Sequence, residues 1–193
     1  MKLAISLPNL ITGFRILLIP VLVISFYLLP VESRYIASAG VFTIASITDW
    51  LDGYLARRMG QMTAFGAFLD PVADKLIVAV ALVLLVEVHA SAILAIPALV
   101  IVCREIVVSA LREWMARYSE KRGVAVSFLG KIKTVFQMIA IIVLLASGPD
   151  RHAITVILGY ILLYAAAGLT LLSMYQYLRL AWPDLSSGMK NQS

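Results

Sequence analysis

Four carboxylates occur at two short intervals in the stretch DWLDGYLARRMGQMTAFGAFLDPVADK, which opens at Asp49 and closes at Lys75. Asp49 and Asp52 are three residues apart; Asp70 and Asp74 are four apart. On helices, each pair lies on one face. The flanking sequence is apolar, and an ionised group in or beside a bilayer is costly unless it is paired, hydrated or metal-bound. A shared cation is the simplest explanation for four such acids. Hard divalent ions take carboxylate and phosphate oxygens together. Asp49, Asp52, Asp70 and Asp74 are therefore candidate ligands for one or two ions such as Mg²⁺. Two ions can clamp the attacking and leaving oxygens of a phosphoryl displacement. An acid not fully engaged by metal can accept a proton from an alcohol.

The residues around the acids suit the same chemistry. Gly53 and Ala56 leave a helix face without bulk, where a flat base or a diphosphate can approach. Arg57 offers phosphate a planar fork that is always charged. The competing reading is a set of structural ion pairs with Arg57, Arg58 and Lys75. Four acids beside small residues on one face argue against it. The residues from Arg58 to Leu69 are expected to reverse the chain, with Gly60 and Gly66 giving backbone room.

A second polar group interrupts the apolar run IPALVIVCREIVVSALREW at Arg104 and Glu105. Arg112 lies eight residues past Arg104 and returns near the same helix face. Lys131 and Lys133 open a later apolar run. Basic groups at one depth on two helices suit a phosphorylated acceptor. Arg117, Lys121 and Arg122 read instead as side chains reaching lipid headgroups. Glu105 could pair with neighbours of Arg104 or orient a lysine.

The elements that must position these groups are legible from composition. The chain has 193 residues, 62% of them hydrophobic, with a mean hydropathy of +0.95. That signals a polytopic membrane protein. Apolar runs predict six spans, at roughly 8–29, 35–57, 70–88, 92–116, 128–147 and 153–179, each near the ~20 residues a hydrocarbon core requires. The expected fold is an all-α integral membrane protein. It is a six-transmembrane-helix bundle in one domain over 1–182, followed by a polar tail over 183–193. Basic residues including Arg57, Arg58, Lys131 and Lys133 fall on one side, and only Arg34 and Arg151 fall in loops on the other. The positive-inside rule then puts both termini, and the cavity holding the acids, on the cytoplasmic side. The single cysteine, Cys103, excludes an intramolecular disulfide and a multi-cysteine zinc site. Tryptophans and tyrosines near span ends read as an interfacial belt. Gly159, Ala165–Ala167 and Gly168 suit close helix packing, either within the chain or in a homodimer. A divalent-cation transporter would need an acid-lined route to the outer face, which the short outer loops do not offer.

The run Asp49-x2-Asp52-Gly53-x2-Ala56-Arg57-x8-Gly66-x3-Asp70-x3-Asp74 resembles, with no departure, the signature of the CDP-alcohol phosphotransferases. Members are membrane enzymes that join an alcohol to a phosphoryl group from a CDP-linked donor, releasing CMP. The resemblance implies Mg²⁺ or Mn²⁺ on the four acids, with Asp74 as general base. It implies donor contacts from Gly53, Arg57 and Thr63. Pro8-Asn9-x2-Thr12-x2-Arg15 looks like the family's N-terminal donor segment, which adds Asn9, Thr12 and Arg15. Arg104-Glu105-Ile106, Leu111-Arg112-Glu113 and Gly130-Lys131-x-Lys133-Thr134-x2-Gln137 resemble the bacterial branch that forms phosphatidylglycerophosphate. That branch implies CDP-diacylglycerol as donor and sn-glycerol 3-phosphate as acceptor, bound by Arg104, Arg112, Lys131 and Lys133. It also implies residence among the lipids of the bacterial inner membrane, and no nucleic acid partner is expected. Phosphatidylglycerol, as for a cardiolipin synthase, is the alternative acceptor. The basic groups favour a phosphate monoester.

Overall fold

The computed structural model describes residues 7–59, 64–118, 128–150 and 153–190. They form six helices and, among the described residues, no strand: α1 (Leu7–Leu28), α2 (Val31–Met59), α3 (Ala64–His89), α4 (Ala92–Tyr118), α5 (Phe128–Ser147) and α6 (Ile154–Lys190). Each expected span coincides with one helix. Three of them hold segments long and apolar enough to cross a bilayer: Leu10–Leu28, Ala92–Met115 and Ile154–Arg179. In α5 the apolar stretch, Ile132–Ser147, is shorter. The protein is an all-helical membrane protein.

Helix ends depart from the sequence reading in two places. The reversal between the acid pairs was expected over Arg58–Leu69. In fact α2 runs to Met59 and α3 begins at Ala64, so both carboxylates of the second pair sit within the opening turns of α3. The end of α2, DGYLARRM, is polar, and the opening of α3, AFGAFL, is apolar but set apart from the main run by Asp70 and Asp74; both continue the hydrogen-bonded spiral. In the same way α6 continues to Lys190, into the segment read as a polar tail.

Side chains sort as in a bundle surrounded by lipid. On α1, Phe14, Leu17, Val21, Ile24 and Leu28 face outward, while Thr12, Arg15, Leu18, Leu22 and Phe26 face inward. The outward face is as apolar as the inward one, and the polar groups are inside, the reverse of a soluble amphipathic helix. One core joins the helices. Leu22 of α1, Phe42 of α2, Leu82 and Leu85 of α3, Leu94 and Ile101 of α4, Ile141 and Leu144 of α5 and Leu163 of α6 are essentially fully buried in it. The closest pairings are α5 with α6, α1 with α2 and α4 with α6. At Gly159 an added Cβ would fall 2.6 Å from the Leu144 side chain, so that glycine serves the α5–α6 contact within the chain.

The two ends of the bundle differ. One end holds the acids of α2 and α3. At the other, the Tyr160 hydroxyl of α6 meets His89 Nδ1 at 3.2 Å, and Arg34 Nη2 donates to the Tyr35 hydroxyl at 2.6 Å. The Tyr27 hydroxyl donates to Glu87. Gly148, with φ of +63°, ends α5 there, and its Cβ position lies 3.0 Å from the Tyr35 ring, so no other residue fits without strain. His89 is fifteen residues beyond Asp74, or roughly 22 Å along α3 at the helical rise. The buried apolar core fills that interval.

Candidate active site

Arg15 is the centre of the acid cluster. Its position on the inward face of α1 buries the side chain completely, which is tolerable only with countercharge. Two helices provide it. Nη1 lies 2.8 Å from Asp49 Oδ1 on α2 and 2.9 Å from Asp70 Oδ1 on α3. A single nitrogen thus draws together one member of each acid pair. Among the described residues, the ion pairs to Asp49 and Asp70 come from Arg15; the side chains of Arg57 and Arg58 lie outside the described set. Thr12, one turn before Arg15, is buried on the same face. Asp74 stands one turn along α3 from Asp70. It lies within electrostatic reach of Asp49, Arg15, Glu105 and Asp70.

Of the other residues expected here, Asn9, Asp52, Gly53 and Arg57 have described helical backbone, but their side chains lie outside the described set, and Thr63 lies outside it altogether. Among the described residues no three His, Cys, Asp or Glu side chains converge to hold an ion by themselves. The donor chemistry nevertheless fits a hard divalent ion. Asp49 and Asp70 present carboxylate oxygens to one shared cationic point, and each side chain keeps a third or more of its surface open.

Asp74 also opens onto a cavity of about 420 Å³ between α3, α4, α5 and α6. Its polar lining includes Asp74, Lys75, Arg104, Glu105, Arg112, Lys133, Thr134, Gln137 and Tyr177. Three of the four basic residues expected to bind an acceptor, Arg104, Arg112 and Lys133, therefore share one chamber with the expected general base. The side chain of the fourth, Lys131, lies outside the described residues. The volume is in the range of small-molecule sites.

Glu105 organises the basic wall. Its Oε1 accepts from Lys133 Nζ at 2.7 Å and from Arg104 Nη1 at 3.0 Å. The sequence left its role open between pairing near Arg104 and orienting a lysine; it bonds both Arg104 and Lys133. Arg104 is 4% exposed and spends a second nitrogen, Nη2, on the Ser173 hydroxyl of α6 at 2.7 Å. Arg112 is held differently. Its Nη2 donates to the Tyr177 hydroxyl at 2.9 Å, and its guanidinium carbon lies 4.9 Å from the Tyr177 ring centre. Arg112 remains exposed.

Ser173, Tyr177 and the buried Gln137 were not singled out as binding residues from sequence. The signal existed in α6, where Thr170, Ser173 and Tyr177 recur at helical spacing and all three are buried. Of this stripe, Tyr177 lines the cavity and Ser173 accepts from Arg104.

Residues 5–172 match the sequence model of a family described as CDP-alcohol phosphatidyltransferase. The chain is 56% identical over 183 residues to a CDP-diacylglycerol–glycerol-3-phosphate 3-phosphatidyltransferase of Pseudomonas fluorescens, covering 94% of this chain and 93% of that one. Proteins of the same description from Pectobacterium atrosepticum and Yersinia pestis are 51% and 49% identical, each covering 97% of the relative.

Proposed function

The chain belongs to the CDP-alcohol phosphatidyltransferase family, and from that premise we infer that it transfers a phosphatidyl group from CDP-diacylglycerol to sn-glycerol 3-phosphate. The products are phosphatidylglycerophosphate and CMP. The observation that carries this reading is the one cavity that Asp74 shares with Arg104, Arg112 and Lys133. A phosphorylated alcohol needs both a cationic wall for its phosphate and a carboxylate at its hydroxyl. A neutral acceptor would leave three basic groups with the single carboxylate of Glu105 as their bonded countercharge among the described residues.

The diacylglycerol tails lie in the bilayer beside the exposed apolar faces, and the CDP head enters at the acid end. Asp49, Asp52, Asp70 and Asp74 would hold Mg²⁺ or Mn²⁺, which when bound neutralises the diphosphate charge. Gly53 gives the nucleotide room, and Asn9, Thr12, Arg57 and Thr63 supply donor contacts. Arg15 lies between two of the acids, where it shares in the same charge balance. Arg104, Arg112, Lys131 and Lys133 receive the acceptor phosphate. Asp74 takes the proton of the primary hydroxyl. The freed oxygen attacks the lipid-side phosphorus, and the bond to CMP breaks. The cavity faces the cytoplasm, both termini are cytoplasmic, and the membrane is the bacterial inner membrane. The excess of Lys and Arg at the acid end supports this orientation.

Purified protein with CDP-diacylglycerol, Mg²⁺ and a panel of alcohols should release CMP and form lipid product with glycerol 3-phosphate in strong preference to uncharged alcohols or phosphatidylglycerol. Equal turnover with an uncharged alcohol would sink the acceptor assignment. Arg112→Ala or Lys133→Ala should raise the apparent KM for glycerol 3-phosphate by about 10-fold or more, because a charge-assisted phosphate contact contributes ~1.5–3 kcal/mol. The KM for CDP-diacylglycerol should change little. Equal rises in both would mean that these residues only support the bundle.

A further inference from the structure

We propose that Glu105 is the residue that recognises the acceptor's secondary hydroxyl, through its second carboxylate oxygen. The proposal rests on glycerol 3-phosphate being the acceptor. Both bonds to Glu105 end on Oε1, from Lys133 at 2.7 Å and Arg104 at 3.0 Å. No hydrogen bond reaches Oε2 from the described residues, yet the side chain lines the cavity and keeps a quarter of its surface open. A carboxylate has acceptor capacity on both oxygens. Here two cations from two helices fix the group's orientation and leave one oxygen for a ligand.

The position suits the middle of the substrate. Glu105 joins the basic wall directly and lines the same cavity as Asp74. Glycerol 3-phosphate is short, with its phosphate and its reacting hydroxyl at opposite ends and the secondary hydroxyl between them. With the phosphate on Arg112 and Lys133 and the primary hydroxyl at Asp74, the secondary hydroxyl falls beside Glu105. It would donate to Oε2. A basic wall alone accepts any phosphorylated primary alcohol. A fixed acceptor beside the second carbon distinguishes glycerol 3-phosphate from phosphates that lack that hydroxyl. Losing a hydrogen bond that a site is built to make penalises the analogue sharply.

The test compares glycerol 3-phosphate with 3-hydroxypropyl phosphate, which lacks only the secondary hydroxyl, using the full-length enzyme and its Glu105→Gln variant. The wild type should favour glycerol 3-phosphate by at least about 10-fold in kcat/KM. Glu105→Gln should bring the two substrates within about 3-fold of each other, chiefly by lowering the value for glycerol 3-phosphate. A variant that loses activity on both substrates in equal proportion would overturn the proposal and leave Glu105 as a support for Lys133. A wild type that uses both substrates equally would overturn it without any variant. Wild-type turnover with neither, alongside CMP release to a different alcohol, would instead remove the acceptor reading on which the proposal rests.

Discussion

Asp74→Asn is expected to lower kcat by about 100-fold or more, the usual loss when a general base is removed. The substitution keeps size and hydrogen bonding and deletes only the basic oxygen. The proposed role rests on where Asp74 stands. It is one turn from Asp70 on α3, in reach of the acid cluster, and it also lines the chamber that holds the basic wall. Donor affinity should survive in part, because Asp49, Asp52 and Asp70 remain. Since Asp74 is also a candidate ligand, Mn²⁺ and CDP-diacylglycerol affinities should be measured beside turnover. Near-normal turnover would exclude the base role. Loss of turnover together with metal affinity would assign Asp74 to ion binding.

Arg15→Ala is expected to destabilise the protein, by less than the ~3–5 kcal/mol that stranding a fully buried charge costs, because each of the two carboxylates it leaves keeps a third or more of its side-chain surface open to solvent. Here two carboxylates on two different helices lose the same nitrogen. The loss should show as a lower Tm in detergent without divalent ions, and Mn²⁺ should restore part of it by supplying the missing positive charge. Arg15→Lys should fall between, because an ammonium is a point charge and cannot present the guanidinium's planar set of donors. An unchanged Tm in metal-free buffer would show that the pairing contributes nothing to holding α1, α2 and α3 together.

Long apolar runs made the six helices readable, since they are the strongest sequence signal a membrane protein has. The same signal failed where helices continue through polar sequence, at Met59 and Lys190, and at Ala64, where the short apolar opening of α3 is cut off from the main run by Asp70 and Asp74. Asp49, Asp70 and Asp74 were legible as a group because charge in an apolar setting demands an explanation. Arg15 was legible only through a motif, as a donor contact. Its bond to Asp70 spans 55 residues of sequence, and no local pattern encodes which helices become neighbours. Glu105 and Lys133 met the same barrier across α4 and α5. Tyr177 was obscured for a different reason. An aromatic near the end of a span has a ready interfacial explanation, and only its register with Ser173 and Thr170 separates it from the belt.

The burial of Arg15 also bears on how the chain enters the membrane during synthesis. Arg15 lies eight residues into α1, roughly 12 Å along its axis, inside a helix whose other residues are nearly all apolar. Alone in lipid, an arginine placed centrally in a helix costs about 2.5–3.5 kcal/mol. Its partners come later, Asp49 from the second helix and Asp70 only from the third. Until α2 is delivered, the first helix carries a charge that it cannot satisfy, and the second acid arrives only with α3. The first three helices are therefore expected to settle as one unit, since the acids that balance Arg15 come from α2 and α3.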